Sequence, residues 1–257
     1  MSAVLVTGST AGIGAEIAAE LARQGHHVVR HAREESRATQ ARDAYGGAVV
    51  TGDLASLNST RRMAAALRDL GPFDVVVHNA GWASRGSTRP VTVDGLERTF
   101  QVNALAPYLL TALMPLPPRL VYVSSDSITR ATLHLDDLQH ETAWTADAAY
   151  ADSKLALTAI AFAIARRFPK VICNAVHPGW VRTNMSGNEA PLDVAEGAAT
   201  PVWLATSTDP EATVTGAFFH NRRQVRLNPQ AYDHQLQDAL VEHCAALCGA
   251  PLPPAGC

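Results

Sequence analysis

The chain has 257 residues, is 47% hydrophobic and 18% charged, and carries a formal net charge of -3. That apolar share excludes disorder as a description of the whole chain. The near-neutral balance gives no electrostatic reason to expect a nucleic-acid or membrane partner, and no apolar run reaches the roughly 18 residues that span a bilayer.

Apolar runs and helical patterns alternate from the start. Ala3 to Thr7 is a short strand-like run closed by Gly8. Met1 to Gly8 has neither the basic start nor the apolar length of a signal peptide, so a cytoplasmic location is expected. Ile13 to Gln24 reads as a helix with Ile13, Ile17 and Leu21 on one stripe and Gly25 as its stop. His27 to Arg30 is a second strand, Glu35 to Tyr45 a helix and Ala48 to Thr51 a third strand. Ser56 is the candidate N-cap of a helix running to Leu70. Phe73 to His78, centred on Val75-Val76-Val77, is a strand too short to be a buried helix.

The second half keeps the rhythm. Thr92 to Leu113 reads as one long helix, stopped before Pro115, Pro117 and Pro118. Arg119 to Ser124 is a strand, Asp147 to Phe168 a second long helix ended by Pro169, and Val171 to Val176 a strand. Val194 to Leu204 is a helix, Ala217 to Phe219 a strand and Ala231 to Leu247 the last helix, with Pro251 to Cys257 expected as a loose tail. Strands separated by helices imply an α/β fold: a single doubly wound domain over residues 1–250, its parallel sheet of about seven strands flanked by helices on both faces. Cys173, Cys244, Cys248 and Cys257 form no CxxC pair, and the 10 histidines no HExxH, so no metal site is expected.

Thr7-Gly8-Ser9-Thr10-Ala11-Gly12-Ile13-Gly14 lies between the first strand and the first helix. Glycines there allow a tight turn and let backbone approach a pyrophosphate at the helix N-terminus. Tyr150 and Lys154 are four apart on a helix, so they share a face. The chain has five tyrosines and only two lysines, Lys154 and Lys170, which makes the pairing notable. A phenol is a poor proton shuttle at neutral pH, and a neighbouring ammonium that favours phenolate brings it closer to working range.

With TGxxxGxG at Thr7 to Gly14, Asn79-Ala80-Gly81, Tyr150-Ala151-Asp152-Ser153-Lys154 and Pro178-Gly179, the sequence resembles the short-chain dehydrogenase/reductase family over nearly its whole length. His177-Pro178-Gly179-Trp180-Val181-Arg182-Thr183 and the 25-residue step from Ser125 to Tyr150 are similar to its retinol-dehydrogenase-like branch. The resemblance implies a Rossmann-type domain and an oxidoreductase that passes hydride between a nicotinamide and a carbonyl or secondary alcohol. It implies that Tyr150 is the general acid or base and that Lys154 lowers its pKa. Ser125 then orients the substrate oxygen, with Ser124 as rival, and Asn103 holds a water that links the lysine to solvent. The implied cofactor site is Gly8, Ser9, Thr10, Gly12, Ile13, Gly14, Asp53, Leu54, Asn79, Ala80, Gly81, Tyr150, Lys154, Pro178, Gly179, Val181 and Thr183.

At the end of the second strand, NAD-users carry an acidic residue for the ribose 2′-OH. Here that position is Ala32, followed by Arg33, which favours NADP(H) over NAD(H) because a guanidinium fork binds a 2′-phosphate. Arg30 and His31 are further basic candidates, with the alternative that Arg30 faces away. Trp82, Ser125, Trp144, Trp180 and Met185 are the expected substrate contacts, with Ser84, Arg85, Asp126, Ile128 and Arg130 as further wall candidates. Tryptophans at the mouth suit a bulky apolar carbonyl compound. Ser127 to Asp147 reads as an insertion beside the site, and Ser186 to Leu192 as a mobile lid. Reduction of a C=C bond, an epimerase or dehydratase step, and NADP sensing without turnover are the alternatives. A homodimer or homotetramer through the two long helices is the family habit.

Overall fold

In the computed structural model, which describes residues 1–187 and 189–254, the apolar runs become the strands of one sheet. The elements in chain order begin with β1 (Ala3–Val6), α1 (Gly12–Arg23), β2 (His27–Ala32), α2 (Glu35–Tyr45), β3 (Val49–Thr51), α3 (Leu57–Leu70) and β4 (Val75–His78). Then come α4 (Arg98–Phe100), a π-helical turn (Gln101–Leu105), α5 (Ala106–Leu113), β5 (Arg119–Val123), α6 (Ala146–Arg167) and β6 (Ile172–His177). The chain continues with α7 (Val194–Thr206), β7 (Phe218–His220), β8 (Arg223–Val225) and α8 (His234–Cys248). The strand order is β3-β2-β1-β4-β5-β6-β7-β8. All neighbouring pairs through β7 are parallel, and β8 returns antiparallel to β7.

The alternation of side chains along a strand builds two cores, one per face of the sheet. On β1, Leu5 joins the cluster under α5, α6 and α8, whereas Val4 and Val6 join the cluster under α1 and α7. The order reverses between β1 and β4, and the loops beyond the carboxyl ends of those strands form a crevice, the usual ligand position in open α/β sheets. Ser56 caps α3 by accepting from the Ser59 amide.

The structure corrects several expectations. An eighth strand follows the seven expected ones. Its residues, Arg223–Val225, are short and polar, and a tight turn through Asn221 and Arg222, both at positive φ, returns the chain. The helix expected from Thr92 starts at Arg98: Val91 bridges Glu97, and the Glu97 carboxylate caps the helix by accepting from the Phe100 amide at 2.7 Å. α8 starts at His234, capped by Asp233, after a 3-10 turn over Pro229–Tyr232.

The tail is not loose at its start. Ala250 and Leu252 are buried in the core, and the Tyr108 hydroxyl donates to the Ala250 carbonyl at 3.0 Å. Residues 255–257, Cys257 among them, lie outside the described residues. Cys173, Cys244 and Cys248 are buried free thiols. α6 is by length and composition apolar enough to cross a membrane, but most of it is packed inside the protein. Every α6 residue from Ser153 to Ala165 is buried by the chain's own elements. Much of the helix surface expected to pair subunits is therefore already covered within one chain.

Candidate active site

A cavity of about 350 Å³ opens at the carboxyl ends of the strands. Its floor is the glycine turn. Gly8 takes φ +63°, and a Cβ there would approach Ala80 Cα to 2.8 Å. The turn is held from below. The Thr7 hydroxyl accepts from the Asn79 and Ala80 amides, and the Asn79 side chain donates to the carbonyls of Thr7 and Gly8. The Gly8 amide donates to His31 Nδ1 at 2.9 Å, while His31 Nε2 meets the Gly52 carbonyl at 2.8 Å. Burial lowers the pKa of His31, which keeps the ring neutral and Nδ1 an acceptor.

Many of the expected cofactor residues line this cavity: Gly8, Thr10, Gly12, Ile13, Gly14, Arg33, Asp53, Leu54, Asn79, Ala80, Gly81, Tyr150, Lys154, Pro178 and Thr183. The others lie behind the wall. Ser9 is buried, its hydroxyl donating to the Val6 carbonyl and accepting from the His31 amide. Gly179, at φ +91°, lies against Leu192, and Val181 is buried against Gly197. Arg30 faces away from the cavity, as its alternative reading had it. Its guanidinium donates to the carbonyls of Ser9 and Ala15 and stacks 4.2 Å over the Tyr45 ring.

The shape fits a dinucleotide. No side chain caps the N-terminus of α1, so its first amides are free for an anion. A Cβ on Gly12 would reach 3.4 Å from Thr183 Cγ2, and one on Gly81 would reach 3.2 Å from Lys154 Nζ, so bare backbone keeps both approaches open.

The reactive side chains come from three elements. Tyr150 and Lys154 project from α6, and Lys154 Nζ lies 5.9 Å from the Tyr150 ring centroid. Lys154 is buried and donates to the Val123 carbonyl at 2.9 Å; burial brings its pKa down to about 8. Ser125 follows β5, where its hydroxyl acts to lower the pKa of Tyr150. Its rival Ser124 borders the cavity, but it is buried and its hydroxyl is bonded to Thr158 Oγ1 at 2.8 Å and to the Lys154 carbonyl.

Asn103 sits in the π-helical turn, a local irregularity that often marks a functional site. Its amide accepts from the Trp82 amide at 2.7 Å and donates to the Trp82 carbonyl and to Ser153 Oγ, both at 2.9 Å. It thus ties the loop after β4 to the catalytic helix.

Two expectations need correction. The Tyr150 pKa is raised rather than lowered: burial, the largest cause, outweighs the lowering by the Ser125 hydroxyl, and the Asp126 carboxylate adds to the rise while Arg130 opposes it. Of the expected substrate contacts, Trp82 and Met185 line the cavity, but Ser125, Trp144 and Trp180 do not. The Trp144 indole donates to Glu97 and pins the 127–147 insertion to the start of α4. Trp180 is 55% exposed beyond the cavity. Just before the expected lid segment, the Arg85 guanidinium donates to the carbonyls of Asn184 and Met185; within the segment, Asn188 lies outside the described residues. Cavity residues with no motif to announce them are Gly52, Arg98, Val102, Val123 and Asn184. Arg98 stacks 4.9 Å over the Trp82 ring, a contact between chain segments that no spacing rule reveals.

The comparisons agree with this geometry. The sequence profile of a family described as enoyl-(acyl carrier protein) reductase matches residues 8–217. An uncharacterized oxidoreductase of Emericella nidulans is 37% identical over 98% of this chain and 99% of its own length. Retinol dehydrogenase 14 of Mus musculus is 32% identical over 96% of this chain and 85% of its own. The crystal structure of an uncharacterized protein from Mycobacterium paratuberculosis superposes with a TM-score of 0.84 at 28% identity, covering 98% of this chain and 95% of that one. The crystal structure of BdcA in complex with NADPH gives 0.67 at 26% identity, covering 84% and 91%.

Proposed function

The chain belongs to the short-chain dehydrogenase/reductase family of oxidoreductases, and on that footing we propose that it is an NADP(H)-dependent carbonyl reductase or alcohol dehydrogenase acting on a bulky, largely apolar small molecule. One observation carries the reading: Tyr150, backed by Lys154, shares a single cavity with the glycine turn. Ala32 and Arg33 at the end of β2 favour a 2′-phosphate over a bare ribose. The NADPH bound to BdcA supports the same preference.

NADPH, when bound, supplies the hydride. Tyr150 gives its proton to the oxygen of the reduced carbonyl. The raised pKa keeps that proton in place at neutral pH, which suits the reductive direction. Ser125 hydrogen-bonds the same oxygen. Lys154, still mostly charged at neutral pH with a pKa of about 8, supplies positive charge opposite the developing phenolate. Trp82 and Met185 provide an apolar wall.

The description of the matching family profile favours a second reading, reduction of a C=C bond conjugated to a carbonyl. NADPH oxidation measured with a panel of ketones, aldehydes and enones, with product analysis, decides. An alcohol product supports carbonyl reduction, a saturated ketone supports the second reading, and no oxidation with any compound refutes both.

A further inference from the structure

Two arginines line the cavity, Arg33 and Arg98. Among the described residues, neither guanidinium belongs to an ion pair. Arg98 Nε is buried without a hydrogen-bond partner. Other arginines shielded from water are satisfied: Arg30 by the carbonyls of Ser9 and Ala15, Arg119 by those of Leu204 and Ser207. The carboxylate next to Arg98 in the chain, Glu97, is engaged elsewhere, accepting from the Thr99 hydroxyl, the Phe100 amide and the Trp144 indole. What fixes Arg98 is the Trp82 ring, 4.9 Å from its guanidinium. A charged donor held out of water without an acceptor is costly, and here the open cavity is where an acceptor can enter.

Strand order sorts the two arginines. β1 lies between β2 and β4. Arg33 follows β2 and stands to one side of the glycine turn, with Asp53 and Leu54 after β3. Trp82 follows β4 on the other side, toward β5, whose Val123 carbonyl accepts from Lys154. Trp82 is anchored there: a Cβ on Gly81 would reach 3.2 Å from Lys154 Nζ, and Asn103 clamps both the amide and the carbonyl of Trp82. Arg98, resting on that indole, is thus on the side of the reacting groups. Arg33 and the free amides of α1 are placed for the phosphates of the cofactor, which leaves Arg98 for the other occupant. We propose that Arg98, set on the Trp82 ring, is a specificity residue that binds a carboxylate of the carbonyl substrate. The planar fork suits a planar two-oxygen acceptor. This rests on the carbonyl-reductase reading above and narrows its substrate class to an apolar body, packed on Trp82 and Met185, that carries an acidic group.

The test pairs an acid with its ester. Benzoylformate and β-benzoylpropionate, which differ in the spacer between ketone and carboxylate, are each compared with the methyl ester under saturating NADPH. For at least one pair the wild-type KM should be lower for the acid by about 10- to 100-fold, the range for a charge-assisted hydrogen bond. Arg98→Met, which keeps a long side chain on the indole, should erase that preference by raising KM for the acid. KM for NADPH and turnover of the esters should change little. Arg98→Lys, which keeps the charge without the fork, should recover part of the preference. A second readout needs no turnover: calorimetric binding of phenylbutyrate and phenylbutyramide to the NADPH complex. Wild type should hold the acid at least about tenfold tighter, and Arg98→Met should hold the two alike. Should Arg98→Met fail to fold, Arg98→Gln takes its place. A wild-type protein without acid preference overturns the proposal, as does a preference that survives in Arg98→Met, because Lys154 or Arg33 would then account for it. A raised KM for NADPH in Arg98→Met with an unchanged acid-to-ester ratio also overturns it and gives Arg98 to the cofactor. If the wild-type protein reduces no carbonyl compound, the functional reading fails while the calorimetry still decides this one.

Discussion

Replacing Lys154 by methionine should make the protein more stable at neutral pH and far less active. Lys154 is buried, and burial holds its pKa at about 8 instead of 10.5. At pH 7 the amine is charged in both the folded and unfolded chain, and the folded state carries the full penalty, 2.5 × 1.36 or about 3 kcal/mol as an order of magnitude. The sign follows from proton counts. Between pH 8 and 10.5 the unfolded chain binds more protons than the folded one, so this cost is present in full below pH 8 and fades as pH rises through that window. By pH 10 roughly 1 kcal/mol is left on the same linkage. Methionine removes the charge but leaves the Val123 carbonyl without its 2.9 Å donor, a loss of about 1–2 kcal/mol. Lys154→Met should thus gain about 1–2 kcal/mol at pH 7 and gain nothing, or lose slightly, at pH 10. Comparing the two proteins pairwise cancels the thiols of Cys173 and Cys244, which burial pushes well up in the fold and which titrate in this range only once unfolded. Urea unfolding of both at pH 7 and pH 10 reads the difference. An equal difference at the two pH values would refute the argument, because it would mean that the amine titrates alike in the folded and unfolded chain.

Two further outcomes follow from the cavity floor. A Cβ on Gly14 would meet Asn79 Nδ2 at 2.2 Å and the Gly8 carbonyl oxygen at 2.3 Å, so Gly14→Ala should cost about 2–4 kcal/mol through overpacking and the lost Asn79–Gly8 bond. That corresponds to a fall in Tm of roughly 5–15 °C, and a thermal melt within 2 °C of wild type, a threshold on the order of 0.5 kcal/mol, would contradict it. Arg33→Ala should raise the KM for NADPH by about 10- to 100-fold, the range for losing charge-assisted bonds to a phosphate, with NADH kinetics little changed. Equal loss with both cofactors would show that Arg33 does not read the 2′-phosphate.

Much of the architecture was legible because it rests on local rules. Seven strands and the helices between them follow from short β-branched runs, helical stripes and stops such as Gly25 and Pro169. The Thr7–Gly14 turn and the Tyr150–Lys154 spacing were legible because each is one loop or one helix face. What escaped depends on segments far apart in the chain. Thr92 to Glu97 has an apolar-polar pattern that continues into the helix, yet the Glu97 cap stops the helix at Arg98. The π-helical turn that aims Asn103 at Trp82 leaves no mark in the periodicity. Trp144 looked like a mouth residue by its closeness to Tyr150 in sequence, but the 127–147 insertion carries it to Glu97. The direction of the Tyr150 pKa was misjudged for the same reason. The spacing shows the lysine, whereas the burial that raises the phenol comes from the folded surroundings.

The central claim is that the Tyr150 hydroxyl supplies the proton for carbonyl reduction. Tyr150→Phe keeps the ring and its packing and removes only that proton. Its single-turnover rate of NADPH oxidation with a reducible ketone should fall by at least about 10²-fold, as expected for loss of a general acid, while NADPH binds with wild-type affinity. A rate within about threefold of wild type, well below any general-acid contribution, would contradict the account.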